Sequence, residues 1–109
     1  MKLGIVVYSG EPETVWNAFR FGNFAAAMGD EVQVFLLGQG VAAVEPDSLS
    51  TAAFDVKEHF EAFLASGGQL IACGTCLEIH RIKAPQAVKV GTLKEIYDVV
   101  AGSDKVVTF

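Results

Sequence analysis

The chain has 109 residues, of which 51% are hydrophobic and 19% are charged, as is typical of a globular protein. This length predicts a single domain over residues 1–109. A formal net charge of -5 argues against a protein that binds nucleic acid directly, because such surfaces are basic. No apolar segment approaches the roughly 20 residues that cross a bilayer, so no membrane partner is expected.

The start of the chain and the cysteines together predict a compartment. The apolar stretch from Leu3 to Tyr8 is too short for the hydrophobic region of a secretory signal. Cys73 and Cys76, spaced Cys-x-x-Cys in a chain without such a signal, favour a reducing environment in which thiols stay free. The expected location is the cytoplasm.

Apolar, strand-like runs alternate with helical segments along the chain. The predicted strands cover residues 3–8, 31–38, 69–73, 87–90 and 105–109. The predicted helices cover residues 12–28, 55–66, 75–81 and 92–101, with a short helical turn at 40–44 and a polar loop at 45–50. This alternation predicts an α/β fold, in which a mostly parallel five-stranded sheet is covered by helices on both faces.

Helical periodicity and capping patterns predict which side chains are buried and where helices begin. In residues 12–28 the buried arc is predicted to contain Val15, Ala18, Phe19, Phe21, Gly22, Ala25, Ala26 and Met28. Phe24 falls on the opposite side, where an exposed aromatic favours a contact between subunits. In residues 55–66 the inward side chains are Val56, Phe60, Phe63 and Leu64. Capping boxes are predicted for two helices, Thr75 with Glu78 and Thr92 with Glu95.

Any chemistry of the chain is expected on Cys73 and Cys76. Cys73 closes a predicted strand, and Cys76 lies in the first turn of the following helix. In parallel sheets, ligands and reactive groups gather at the carboxyl ends of strands. A helix N-terminus lowers the pKa of a cysteine, and Gly74 lets the backbone bend there. The pattern predicts a reactive thiol for disulfide exchange, persulfide transfer or metal binding; the opposing interpretation is a plain buried cysteine of the core.

Zinc and thioredoxin-like chemistry are the weaker interpretations of this motif. Cys73, Cys76 and His80 would supply three zinc ligands, whereas a structural site needs four. The other histidine, His59, borders the apolar face of its helix and is interpreted as a partly buried structural residue. Thioredoxins place the motif after an early strand, but here two strand–helix units precede it. No metal is therefore expected.

The loop of Ser9, Gly10 and Glu11 is a second candidate for lining a site. It follows the first strand and precedes a helix, a position that suits an anion. Glu11 and Glu13 would repel a phosphate, and no glycine-rich phosphate motif occurs. We therefore expect no flavin, nucleotide or other cofactor.

Several segments together carry a resemblance to a known family. They are residues 10–14, residues 35–38 with Gly40 and Val41, residues 73–76, and the tail segments 91–93 and 103–109. In these segments the chain resembles the DsrE/DsrF-like family over its whole length. The tail is especially similar to the YchN-like branch, which is related to the TusD sulfur-relay subunits.

The resemblance implies a fold, an assembly and an activity. The fold is a three-layer α/β/α domain, flavodoxin-like in style, that assembles into homotrimers or homohexamers. In sulfur-relay members a cysteine at the strand end carries sulfur as a persulfide, and that position matches Cys73. Cys76 matches a second cysteine of YchN-like members. Where the family often has Arg-Gly, this chain has His80 and Arg81, so a protonated His80 would supply the positive charge.

The resulting hypothesis is a small sulfur-handling protein, a persulfide carrier or sulfurtransferase with a protein sulfur donor and acceptor. Cys73 is the expected nucleophile and the more reactive thiol, and Cys76 is the resolving or second thiol. Residues expected to line the site are Gly74, Thr75, His80, Ser9, Gly10 and Glu11. The alternative is a non-catalytic, oligomeric binding or redox-sensing protein with a Cys73/Cys76 dithiol.

Overall fold

The structure, a computed structural model, describes residues 1–109 and contains one five-stranded sheet. The strands are β1 (Lys2–Val7), β2 (Glu31–Leu36), β3 (Gln69–Cys73), β4 (Lys89–Gly91) and β5 (Lys105–Thr108). Their order across the sheet is β4-β3-β2-β1-β5, and every neighbouring pair is parallel. The helices are α1 (Pro12–Ala27), α2 (Pro46–Leu49), α3 (Val56–Ala65), α4 (Gly74–Ile79) and α5 (Leu93–Gly102), with a 3-10 helix (Gly38–Val44) before α2. The predicted α/β fold class is confirmed.

The helices form two layers on opposite faces of the sheet. The side chain of Ile5 packs against Gly22 of α1, whereas its neighbour Gly4 lies against Val99 of α5 and against Ser103, which follows α5. Successive residues of a strand face opposite sides, so α1 and α5 cover opposite faces. Helix α3 packs beside α1. From β1 to β4 the chain moves in one direction across the sheet, and it then returns past β1 to form β5. Because connections between parallel strands are right-handed, this reversal places α5 on the face opposite α1.

Aromatic packing dominates the core between the sheet and the α1/α3 layer. Phe19 meets Phe60 and Phe63 edge-on, with ring centroids 5.6 Å and 5.8 Å apart, and all three side chains are buried. Edge-to-face pairs of this kind add about 1 kcal/mol each beyond their buried area. The predicted inward face of α3 is confirmed for Val56 and both of its phenylalanines, while Leu64 is half-buried.

The buried arc of α1 is narrower than periodicity predicts. Phe21 and Met28 are 43% and 69% exposed, so their predicted burial is wrong. Phe21 lies at the flank of the helix, where its ring meets that of Phe109 with centroids 6.2 Å apart. Met28 follows the last helical residue as the C-cap of α1, so it lies outside the regular helical face. Phe24 is exposed, as predicted.

Two local predictions fail and one is confirmed at the ends of the short helices. Residues 45–50 are not a loop throughout, because the single-turn helix α2 begins at Pro46. Helix α4 begins at Gly74 with Cys73 as its N-cap and no side-chain cap, so a capping box at Thr75 is wrong. The box of Thr92 and Glu95 is present, and its hydrogen bonds lower the pKa of Glu95 to about 2. No helix combines the length and apolarity that a bilayer crossing requires.

Candidate functional site

The carboxyl ends of the parallel strands meet at one edge of the sheet, and both cysteines lie there. Cys73 is the last residue of β3 and Cys76 lies in the first turn of α4. Both are free thiols. Cys73 is 6% exposed, whereas Cys76 is half-buried. The motif thus stands where parallel sheets usually hold their reactive groups.

The side chain of Cys73 lies on the α5 face of the sheet. Nε2 of Gln33 in β2 donates a 2.6 Å hydrogen bond to Oε1 of Gln69 in β3, and both residues line a groove together with Val99 of α5. Residues two apart on a strand share a face, so Ile71 and Cys73 lie on this side too. The first residues of α5 therefore come next to the Cys73 thiol.

Two cavities adjoin the cysteines. The first cavity, of about 470 Å³, is lined by Leu37, Cys73, Thr75, Cys76, Thr92, Leu93 and Lys94. The second cavity, of about 430 Å³, is lined by Tyr8, Leu37, Gly38, Gln39, Cys76, Ile79 and His80. Leu37 and Cys76 line both cavities, so the two cavities adjoin at these residues.

A backbone donor points at the Cys76 sulfur. The N–H of Gly38 donates to Sγ of Cys76 over 3.2 Å. Gly38 has φ 59, and a Cβ at this position would lie 2.7 Å from the ring of Tyr8. Any other residue would be strained there for two reasons: its φ would be positive, and its Cβ would collide with the Tyr8 ring. Glycine at this position permits the turn that aims the N–H at sulfur, an arrangement that stabilises negative charge on Cys76.

Burial nevertheless raises the pKa of the Cys76 thiol above its ordinary value. The neighbouring Cys73 thiol raises this pKa further, and only the N–H of Gly38 lowers it. This direction is opposite to the one expected from the position of Cys76 at a helix N-terminus, and loss of solvation is its main cause.

Removal of the Cys73 thiol should make Cys76 more acidic. In Cys73→Ala, the midpoint of the pH profile for alkylation of Cys76 by iodoacetamide should move to lower pH. The rate near pH 8 should then rise about threefold, because a larger fraction is thiolate. Mass spectrometry of the alkylated Cys76 peptide at several pH values measures this rate. Thr75→Ala, which removes a neighbouring side chain but no thiol, should keep the wild-type profile. An unchanged midpoint in Cys73→Ala would leave burial as the sole cause.

The structure brings only some of the predicted lining residues to the cysteines. Thr75 lines the first cavity and His80 the second. Gly74 sits where a Cβ would lie 3.1 Å from the Val90 side chain, so its role is close packing of α4 on β4.

Ser9, Gly10 and Glu11 line neither cavity. The Glu11 carboxylate accepts the N–H of Thr14 over 2.9 Å and caps α1, and Ser9 Oγ accepts the N–H of Glu11 over 3.0 Å. Hydrogen bonds to this carboxylate lower the pKa of Glu11, chiefly the one from the N–H of Thr14. The loop therefore organises the start of α1.

Sequence reasoning missed several residues that line the cavities. They are Tyr8, Leu37, Gly38, Gln39, Ile79, Thr92, Leu93 and Lys94. Tyr8, Leu37 and Thr92 each come directly after a strand, so the rule that points to Cys73 applies to them as well. No three side chains of His, Cys, Asp or Glu come together as metal ligands. His59 is half-buried and packs against Trp16, with ring centroids 5.9 Å apart.

Comparison with known proteins settles the family. The model of the DsrE/DsrF-like family matches residues 1–109. The chain belongs to the DsrE/DsrF-like family. This family is generally associated with sulfur relay. The resemblance noted in the sequence is thereby confirmed.

Relatives of this DsrE-like protein share its full extent. It is 28% identical to the uncharacterized protein MJ0989 of Methanocaldococcus jannaschii, with all of both chains covered. It is 27% identical to the uncharacterized protein MK0008 of Methanopyrus kandleri, over 95% of this chain and 91% of that protein. The crystal structure of the YchN protein from E. coli matches with a TM-score of 0.85 over all of both chains at 24% identity. That likeness shows the fold of the DsrE-like protein.

Proposed function

We propose that this DsrE-like protein is a cytoplasmic sulfur carrier in which Cys73 accepts one sulfur atom and holds it as a persulfide. The observation that most supports the proposal is the placement of Cys73. Its thiol is 6% exposed at the end of β3, and it lines a cavity of about 470 Å³. Such a site has room for one added sulfur.

Loading requires no oxidant. The Cys73 sulfur attacks the outer sulfur of a donor persulfide, R–S–SH, whose S–S bond breaks. The products are Cys73–S–SH and the donor thiol R–SH, which leaves with the electron pair and takes up a proton.

Lys94 is the one residue lining the first cavity that carries a formal charge near neutral pH. Its Nζ also pairs with Asp98 over 2.8 Å, on the exposed side of α5. The contribution of this cation to binding is small in water, since exposed charges are screened.

Intact mass spectrometry tests the proposal. The protein is incubated with a cysteine desulfurase and L-cysteine, then measured with and without reductant. We expect the mass to rise by one sulfur atom and to return on reduction, with the adduct on the peptide that contains Cys73. Absence of any reducible sulfur adduct would contradict the carrier role. The alternative is a redox-sensing dithiol, in which case oxidant alone would link Cys73 to Cys76.

We also propose that the protein is a homotrimer or homohexamer. Phe24 and Met28 are exposed on the α1 layer, while Tyr97 and Val100, one turn apart, are exposed on α5. Exposed apolar groups on both layers are typical of subunit contacts. Light scattering should give a mass three or six times 11.6 kDa at micromolar concentration. Phe24→Lys and Tyr97→Lys should lower that mass, and Glu58→Lys on a polar face should not. A wild-type mass near 11.6 kDa would contradict this prediction.

A further inference from the structure

Cys76 is the one reactive group that both cavities share. Cys73 lines only the first cavity, and Tyr8, Ile79 and His80 line only the second. The other shared residue, Leu37, has no group that could hold sulfur. Cys76 is therefore the group placed to carry a sulfur atom from Cys73 to the second cavity.

The two thiols are close enough for direct exchange. Cys73 is the N-cap of α4 and Cys76 lies three residues later in its first turn. Both residues line the first cavity. On the far side of Cys76, the N–H of Gly38 donates to its sulfur over 3.2 Å. Charge that forms on Cys76 during the exchange is thus stabilised by a donor already in place.

We propose that sulfur enters on Cys73 through the first cavity, passes to Cys76, and leaves through the second cavity to a small anionic thiol. This inference rests on the proposed carrier function. In the transfer, Cys76 sulfur attacks the outer sulfur of Cys73–S–SH, and the Cys73 S–S bond breaks. Cys73 regains its thiol and Cys76 becomes Cys76–S–SH, so one S–S bond forms as another breaks and nothing is oxidised or reduced overall.

The lining of the second cavity indicates the class of acceptor. Its polar side chains are Tyr8, Gln39 and His80, all hydrogen-bond donors, and none of its lining residues is acidic. A volume of about 430 Å³ admits a molecule the size of a short peptide. A thiol that carries carboxylates fits these donors. It attacks the outer sulfur of Cys76–S–SH and departs as R–S–SH, which restores the Cys76 thiol.

Matched tryptophan substitutions at the two mouths separate entry from exit. Leu93 lines only the first cavity and is 75% exposed, and Ile79 lines only the second and is 69% exposed. Leu93→Trp should slow persulfide loading from the desulfurase about tenfold, and Ile79→Trp should slow release to glutathione by a similar factor. Each variant should affect the other step far less. Loading is followed by intact mass, and release by the appearance of glutathione persulfide.

Cysteine and histidine variants complete the test. Cys76→Ser should take sulfur on Cys73 yet release it to glutathione about tenfold more slowly than wild type. His80→Gln should raise the glutathione concentration at which release is half-maximal. His59→Gln, at a residue that lines neither cavity, should match wild type. Release from Cys76→Ser at the wild-type rate would overturn the inference. So would release as free sulfide with a Cys73–Cys76 disulfide. If wild type takes up no sulfur, the carrier function itself fails and the inference falls with it.

Discussion

Replacement of Cys73 by serine should abolish persulfide loading while the protein stays folded. We expect less than about one hundredth of the wild-type adduct, since a hydroxyl is neither ionised near neutral pH nor able to hold a transferable sulfur. The free energy of unfolding should fall by only about 1–2 kcal/mol, because serine keeps the shape of the buried side chain. Intact mass after desulfurase treatment, together with thermal melts, measures both effects.

Cys76→Ser is the matched control for Cys73→Ser. It changes the same chemical group three residues away, and it should still load one sulfur, on Cys73. If Cys73→Ser loads sulfur as well as wild type does, Cys73 is not the carrier. If both single variants lose the adduct equally, the two thiols act as a unit, as a redox-sensing dithiol would.

Gly40→Ala should destabilise the protein more than any other single methyl addition near the site. A Cβ at Gly40 would lie 2.1 Å from the carbonyl oxygen of Val7. That oxygen already accepts the N–H of Leu37 over 2.9 Å, so it cannot move without loss of this bond. We expect the free energy of unfolding to fall by about 3 kcal/mol and Tm by more than about 10 °C. Differential scanning calorimetry measures the change.

Gly102→Ala provides the control for Gly40→Ala. Gly102 ends α5, and no atom lies within 4 Å of the position its Cβ would take. Alanine is favoured over glycine in a helix, so Tm should stay the same or rise slightly. Similar melting points for Gly40→Ala and wild type would contradict the prediction. They would show that the backbone at the start of the 3-10 helix can shift to accommodate the added methyl group.

Much of the fold could be predicted from local patterns. Strand β3 occupies residues 69–73 as expected, since its apolar run is bounded by glycines on one side and the cysteine motif on the other. The start of α5 followed from Thr92 and Glu95, whose spacing is enough to specify a capping box. The position of Cys73 at a strand end followed from the same reasoning. Signals of this kind depend on neighbours in sequence.

The remaining features depend on neighbours in space. Phe21 lies on the predicted apolar arc, but α3 and the sheet contact only part of that arc, so its ring is partly exposed. The second cavity exists because β1, β2 and β3 are adjacent in the sheet, an order that periodicity does not contain. The raised pKa of Cys76 likewise requires the burial that tertiary packing produces. Sequence spacing alone predicted the opposite direction.

The assembly of the site from separate strand ends determines when the protein can acquire its chemistry during folding. Tyr8, Leu37, Cys73 and Thr92 come from the ends of four different strands, so their meeting requires contacts between residues far apart in the chain. Such contacts form late and slowly, because the entropy of closing long loops is lost before the contacts stabilise the chain. On a nascent chain the two thiols are already close in sequence but have no cavity around them. A sulfur atom attached at that stage would be lost to any thiol in the cell, so stable retention of a persulfide should report completed folding.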